Sequence, residues 1–163
     1  MPVTAKVSIR PAAPEDSALI LQFIRDLAEY EKMLDDVRTT QDDITVALFG
    51  VNPKAFCDIA LIDGAPVGFA LWFYNFSTFV GRHGIYLEDL FVRPSARGSG
   101  AGKALLAGLA RRCVDEKLGR LEWAVLDWNA PSIAFYDSLG AAAMDEWIVR
   151  RMTGEALVRL AGA

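Results

Sequence analysis

Seven residues with alternating glycines, Arg97-Gly98-Ser99-Gly100-Ala101-Gly102-Lys103, carry the most legible chemistry in this chain. They follow the β-prone run Leu90-Phe91-Val92 and precede Leu105, Leu106 and Leu109 at helical spacing, so a strand enters the turn and a helix leaves it. Glycine permits positive φ and has no side chain, so successive backbone N–H groups can converge on one anion. The helix N-terminus adds partial positive charge, and Arg97 adds a full one. This donor set suits a pyrophosphate. A flexible loop whose glycines serve only a tight turn is the other reading of the same residues.

Two nucleotide patterns fail here. A Walker loop needs four residues between its first glycine and Gly-Lys-Ser/Thr, but Gly98 stands one residue too close to Gly102-Lys103, and Ala104 replaces the magnesium-binding hydroxyl. A dinucleotide fingerprint begun at Gly98 would need its third glycine at Lys103, and one begun at Gly100 would need it at Leu105. His83 is the only histidine, and Cys57 and Cys113 are the only cysteines. That is too few ligands for a zinc site, and it disfavours a histidine-dependent hydrolase. No metal is expected. Cys113 shares a helix face with Leu105, Leu106 and Leu109, which predicts a buried free thiol.

The composition fits one globular domain over residues 1–163, 53% hydrophobic and 23% charged. A net charge of −4 and a pI near 5.0 disfavour nucleic acid as a partner. An acidic balance suits a cationic substrate, and equally an ordinary soluble surface. No apolar run approaches the roughly 20 residues that span a bilayer, so no membrane partner is expected. Met1-Pro2-Val3-Thr4-Ala5-Lys6 lacks the apolar stretch of a secretory leader, so the expected location is the cytoplasm.

The elements that must position the turn follow from periodicity. Val7–Arg10 reads as a strand ended by Pro11 and Pro14, and Glu15–Tyr30 as an amphipathic helix with Leu19, Ile20, Phe23, Ile24, Leu27 and Ala28 on one face. Thr40 can cap a second helix that turns Ile44, Ala47 and Leu48 inward. Phe56–Ile62 and Pro66–Tyr74 are strands joined by the hairpin signal Asp63-Gly64, and Ile85–Val92 is a third strand. Helices are expected over Gly102–Glu116 and Asn129–Leu139, a strand over Leu121–Leu126, and a last strand or strand pair around Trp147-Ile148-Val149. The order predicts an α/β protein with one mixed, mostly antiparallel twisted sheet flanked by helices.

Arg97–Gly102 is similar to the Arg/Gln-x-x-Gly-x-Gly/Ala motif of the GCN5-related N-acetyltransferases (GNAT), at the strand-to-helix junction where that family carries it. The likeness extends through Ile9-Arg10-Pro11-Ala12, Leu27-Ala28-Glu29-Tyr30-Glu31, Tyr86-Leu87-Glu88-Asp89-Leu90-Phe91-Val92, Val125-Leu126-Asp127-Trp128-Asn129, Ser132-Ile133-Ala134-Phe135-Tyr136 and Leu139-Gly140-Ala141. These segments resemble the diamine (spermidine/spermine) and thialysine branch. The resemblance implies the GNAT fold and direct acetyl transfer from acetyl-CoA to a small primary amine in a ternary complex, without a metal. It also implies a homodimer.

An aliphatic amine with pKa about 10.4 is only about 0.04% unprotonated at pH 7, so a base must take its proton, and an acid must protonate the departing thiolate. The resemblance implies Tyr136 as the acid and Glu88 as a base acting through water. It implies cofactor contacts from Phe91, Val92, Arg97, Gly98, Ser99, Gly100, Ala101, Gly102, Lys103, Asn129, Ser132 and Tyr136. Tyr30, Glu31, Glu88, Asp89, Glu146 and Trp147 would line the amine site. From the residues alone, Tyr136 could instead be a core aromatic and Asp89 a solvated or ion-paired strand residue. Adjacent strand residues face opposite sides, so Glu88 and Asp89 enter one cleft only if a bulge intervenes. Asn75-Phe76-Ser77-Thr78-Phe79 has no acid where the spermidine enzymes carry one, which favours a lysine-like acceptor. Two alternatives remain: a non-catalytic acetyl-CoA-binding module and a protein-lysine acetyltransferase.

Overall fold

A computed structural model describes residues 6–162. The leader reading covers Met1–Lys6, of which residues 1–5 lie outside the described residues. The chain divides into two compact units, Met1–Ala124 and Val125–Ala163. Among the described residues, no helix is long and apolar enough to cross a membrane.

The first unit holds a five-stranded sheet in sequence order: β1 (Val7–Pro11), β2 (Phe56–Ile62), β3 (Ala65–Ser77), β4 (Arg82–Val92) and β5 (Leu121–Trp123). The first four strands pair antiparallel, and β5 pairs parallel to β4. The mixed, mostly antiparallel sheet read from the sequence is therefore present. Asp63 and Gly64 both take positive φ (50° and 83°) and turn β2 into β3, as their types demand. Proline is tolerated in β1 because that strand is a sheet edge.

Helix α1 (Ser17–Tyr30) and helix α2 (Gln41–Phe49) cover one face, where Ile20, Phe23, Ile44 and Leu48 bury against Cys57, Ile59, Phe69 and Phe91. The Phe23 and Phe69 rings stack with centroids 5.5 Å apart. Thr40 and Asp43 cap α2 reciprocally: Thr40 Oγ1 accepts from the Asp43 N–H, and the Asp43 carboxylate accepts from the Thr40 N–H. Arg10 clamps Asp16 through two bonds of 2.6 and 2.9 Å, tying the end of β1 to the start of α1. The guanidinium holds the Asp16 carboxyl below the usual carboxylate range.

Helix α3 (Ala101–Asp115) lies on the other face, its Arg112 guanidinium 5.0 Å over the Trp72 ring, with Leu105, Leu106 and Leu109 buried. Cys113 departs from expectation: it is free but only half-buried. It stands near the C-terminal end of α3, where the apolar stripe gives way to Arg112, Val114 and Glu116 at the surface.

The second unit contains α4 (Ala130–Ser138) and α5 (Gly154–Ala161). The tail corrects the sequence reading. Residues 141–153 contain no strand, Trp147, Ile148 and Val149 are exposed, and the last element is a helix. β-propensity acts through packing against neighbouring strands, and this segment has no strand beside it among the described residues. The expected strand over Leu121–Leu126 likewise stops at Trp123.

Candidate acetyl-transfer site

Pairing in the sheet prepares the end of β4. On one side the register with β3 slips between Leu71 and Trp72: Leu71 faces Asp89 while Trp72 faces Leu87. Glu88 is thus the extra residue of a β-bulge, which is what its sharing a cleft with Asp89 requires. On the other side, β5 pairs only with Ile85, Tyr86 and Leu87. Beyond Leu87 the sheet has no strand on that edge among the described residues, so the backbone of Glu88–Val92 can pair with an extended ligand there.

The glycine turn follows directly. Pro94–Ala96 form a short 3-10 turn, Gly98 and Gly100 take φ of 79° and 89°, and Gly100 is the left-handed N-cap of α3. An ideal Cβ at either glycine would meet nothing within 4 Å, so backbone conformation and not protein crowding selects glycine. No side chain caps α3 at Gly100; the Ala101 N–H donates to Ser99 Oγ at 3.3 Å, leaving the Gly102 and Lys103 N–H groups of the first turn to a ligand. The turn therefore has the open donors and the helix dipole of an anion cradle.

A cluster of acids gathers at the bulge. Glu88 is exposed, whereas Asp89 and Glu31 are half-buried. Burial pushes the Asp89 carboxyl up to about 7, helped by the charges of Glu88 and Glu31. Burial alone raises Glu31. Glu31 directly follows Tyr30, the last residue of α1, so the end of α1 and the bulge of β4 share one acidic surface. The structure thus brings together Glu31, Glu88 and Asp89, three of the expected amine-site residues. Next to them, the Arg97 guanidinium lies 4.8 Å over the Tyr30 ring, and Arg97 Nε donates to the Val92 carbonyl at 3.2 Å. The side chain of Arg97 is therefore turned toward α1 and the end of β4.

The remaining site candidates belong to the second unit. Buried Asn129 caps α4, its Oδ1 accepting from the Ser132 N–H at 3.3 Å. Tyr136 lies two turns further along α4, half-buried, with its ring 5.5 Å from Phe135. Glu146 and Trp147 are exposed in the segment between α4 and α5. The bulge meets the condition under which Glu88 and Asp89 share a cleft. The Arg97–Tyr30 contact is the feature that sequence reasoning did not place, since it depends on the meeting of distant segments.

The Asp89 shift has a measurable consequence. An aspartate in an unfolded chain titrates near about 3.9, well below the folded value of about 7. The folded value is raised, so protonation favours the fold. That stabilisation is complete below about pH 4 and is lost as the pH rises through about 7. Asp89→Asn keeps an uncharged side chain of the same shape. Thermal melts should show the variant gaining on the parent as the pH is raised from 5 to 8. An identical pH dependence in the two proteins would contradict the raised Asp89 carboxyl.

An open strand edge, a glycine cradle at a helix N-terminus and an acidic surface beside them are suited to an extended, phosphate-bearing ligand and a cationic one. The chain belongs to the acetyltransferase (GNAT) family, whose sequence profile matches residues 20–141. It is 39% identical to a thialysine N-epsilon-acetyltransferase of Sus scrofa, covering 97% of this chain and 99% of that protein. It is 43% identical to an L-ornithine N5-acetyltransferase of Arabidopsis thaliana, covering 91% of this chain and 85% of the relative. Among solved structures, an integron cassette protein from the mobile metagenome of V. cholerae superposes with a TM-score of 0.79 at 26% identity, covering 96% of this chain and 98% of the other. The chain is an acetyltransferase, and the family's acetyl donor is acetyl-CoA. Its glycine turn and the open edge of β4 fit the pyrophosphate and the extended arm of that donor.

Proposed function

We propose that this protein acetylates the side-chain or terminal amine of a small cationic amino acid or diamine, with thialysine or ornithine preferred over polyamines. The observation that carries this reading is the cluster of Glu31, Glu88 and Asp89 beside the glycine turn. Such a surface attracts an ammonium group, and the relatives named for thialysine and L-ornithine act on amines of that kind. The absence of an acid in Asn75–Phe79 supports the preference against polyamines. In this reading residues 1–163 work as one N-acetyltransferase domain, a cytoplasmic homodimer. Light scattering on the purified protein tests the dimer.

Acetyl-CoA supplies the activated acetyl group. Backbone groups of Phe91 and Val92 hold its arm, and the N–H groups of Gly98, Gly100, Gly102 and Lys103, with Ser99 and Ala101 shaping the turn, hold its pyrophosphate. Asn129 and Ser132 add contacts from α4. Tyr30 and Glu31 orient the amine, with Glu146 and Trp147 as further lining. Glu88 draws the ammonium proton through a water, and Tyr136 returns a proton to the leaving sulfur.

One observation favours Asp89 as the base instead. Its carboxyl, at about 7, is matched to proton transfer near neutral pH. Comparing pH–kcat/KM profiles of Glu88→Gln and Asp89→Asn separates the two. The base is the residue whose loss removes the acidic limb.

The acceptor is tested by ranking kcat/KM for thialysine, ornithine, lysine, putrescine and spermidine. Spermidine above both thialysine and ornithine would overturn the proposed preference.

A further inference from the structure

We infer that Arg97 is a positioning residue for the amine: its guanidinium fixes Tyr30 at the acceptor wall, while only its backbone serves the phosphate turn. This rests on the acetyl-transfer reading above and assigns to one side chain a role that motif and charge do not reveal.

Three observations converge. The Arg97 guanidinium carbon stands 4.8 Å over the centre of the Tyr30 ring, within cation–π range. Its Nε donates to the Val92 carbonyl at 3.2 Å, so the head group is anchored at the end of β4, five residues before its own position in the chain. Arg97 makes none of the ion pairs among the described residues. A cation bonded to a carbonyl and stacked on an aromatic ring leaves the carboxylates to an incoming ammonium.

The consequence is mechanical. Tyr30 ends α1 and Glu31 follows it, so the Arg97 stack sets where this part of the amine wall stands relative to the bulge at Glu88. The backbone of the same residue enters the glycine turn. A ligand that fixes the turn also fixes Tyr30, so donor and amine should bind with positive and reciprocal coupling.

A double-mutant cycle with Arg97→Met and Tyr30→Leu tests this, reading the CoA dissociation constant by calorimetry and the KM for thialysine by thiol release. Each single change is expected to raise the amine KM about three- to fivefold, the scale of a partly exposed cation–π contact, while CoA affinity changes by less than about threefold. The double variant should be little worse than either single one. Tyr30→Phe, which keeps the ring, should recover most of the KM lost in Tyr30→Leu. If Arg97→Met melts early, Arg97→Gln replaces it in the cycle.

Loss of CoA affinity by about tenfold or more in Arg97→Met with an unchanged amine KM would make the guanidinium a phosphate ligand and overturn the inference. Strictly additive KM effects would overturn it as well. A parent protein that binds no CoA would instead remove the acetyl-transfer reading, and this inference with it.

Discussion

Gly100→Val is expected to lower CoA affinity by more than about tenfold while costing the fold only about 1–2 kcal/mol. The stability cost comes from holding a residue with a Cβ at φ 89°, in the left-handed region that L side chains avoid. It is modest because the protein leaves the side chain space, with nothing within 4 Å of an ideal Cβ. The larger loss falls on the ligand. Gly100 caps α3, and a change in its backbone re-aims the N–H groups of the first helical turn, each a donor to an anion. Calorimetric titration with CoA, beside a melting curve, separates the two effects. A melting loss without an affinity loss would mean that the glycines serve only the turn.

The second large effect is expected from Tyr136→Phe, with a fall in kcat of about a hundredfold and little change in CoA affinity. A positioned acid contributes about 10² or more to a proton transfer, and the substitution removes only the phenolic hydroxyl. The ring, 5.5 Å from Phe135, is kept, so α4 should hold its packing. Asn129 still caps that helix through Ser132. Stopped assays of thiol release, run with saturating acetyl-CoA and amine, isolate kcat from binding. Full turnover in Tyr136→Phe would remove the acid assignment.

Local chemistry made much of this fold legible in advance. Asp63-Gly64 fixes a hairpin because only such residues take two positive φ values in succession, and Thr40 caps α2 through its own hydroxyl. The apolar faces of α1 and α3 follow from periodicity, and the glycine turn from composition. What escaped the sequence was set by pairing at a distance. A bulge was foreseen only as the condition for Glu88 and Asp89 to share a cleft; that Glu88 is its extra residue appears when β3 and β4 are laid side by side. The short reach of β5, ending opposite Leu87, opens the edge of β4 and depends on where the chain leaves the sheet after Trp123.

The tail shows the opposite failure. Trp147-Ile148-Val149 is rich in strand-favouring types, but without a neighbouring strand it takes no regular structure. Arg97 is a similar lesson within the site. Motif and charge point to phosphate and give no sign of the contact in which its guanidinium lies over the Tyr30 ring. The acids were legible as types, and their roles were not. Asp89 differs from Glu88 through burial, which one residue of register decides.

Purified protein incubated with acetyl-CoA and thialysine tests the central claim most directly, with free CoA thiol and acetylated amine measured together. The account predicts enzyme-dependent formation of both in equal amounts. Measurable acetyl-CoA binding with no product from thialysine, ornithine, lysine, diamines or polyamines would contradict it, and would make the protein a donor-binding module.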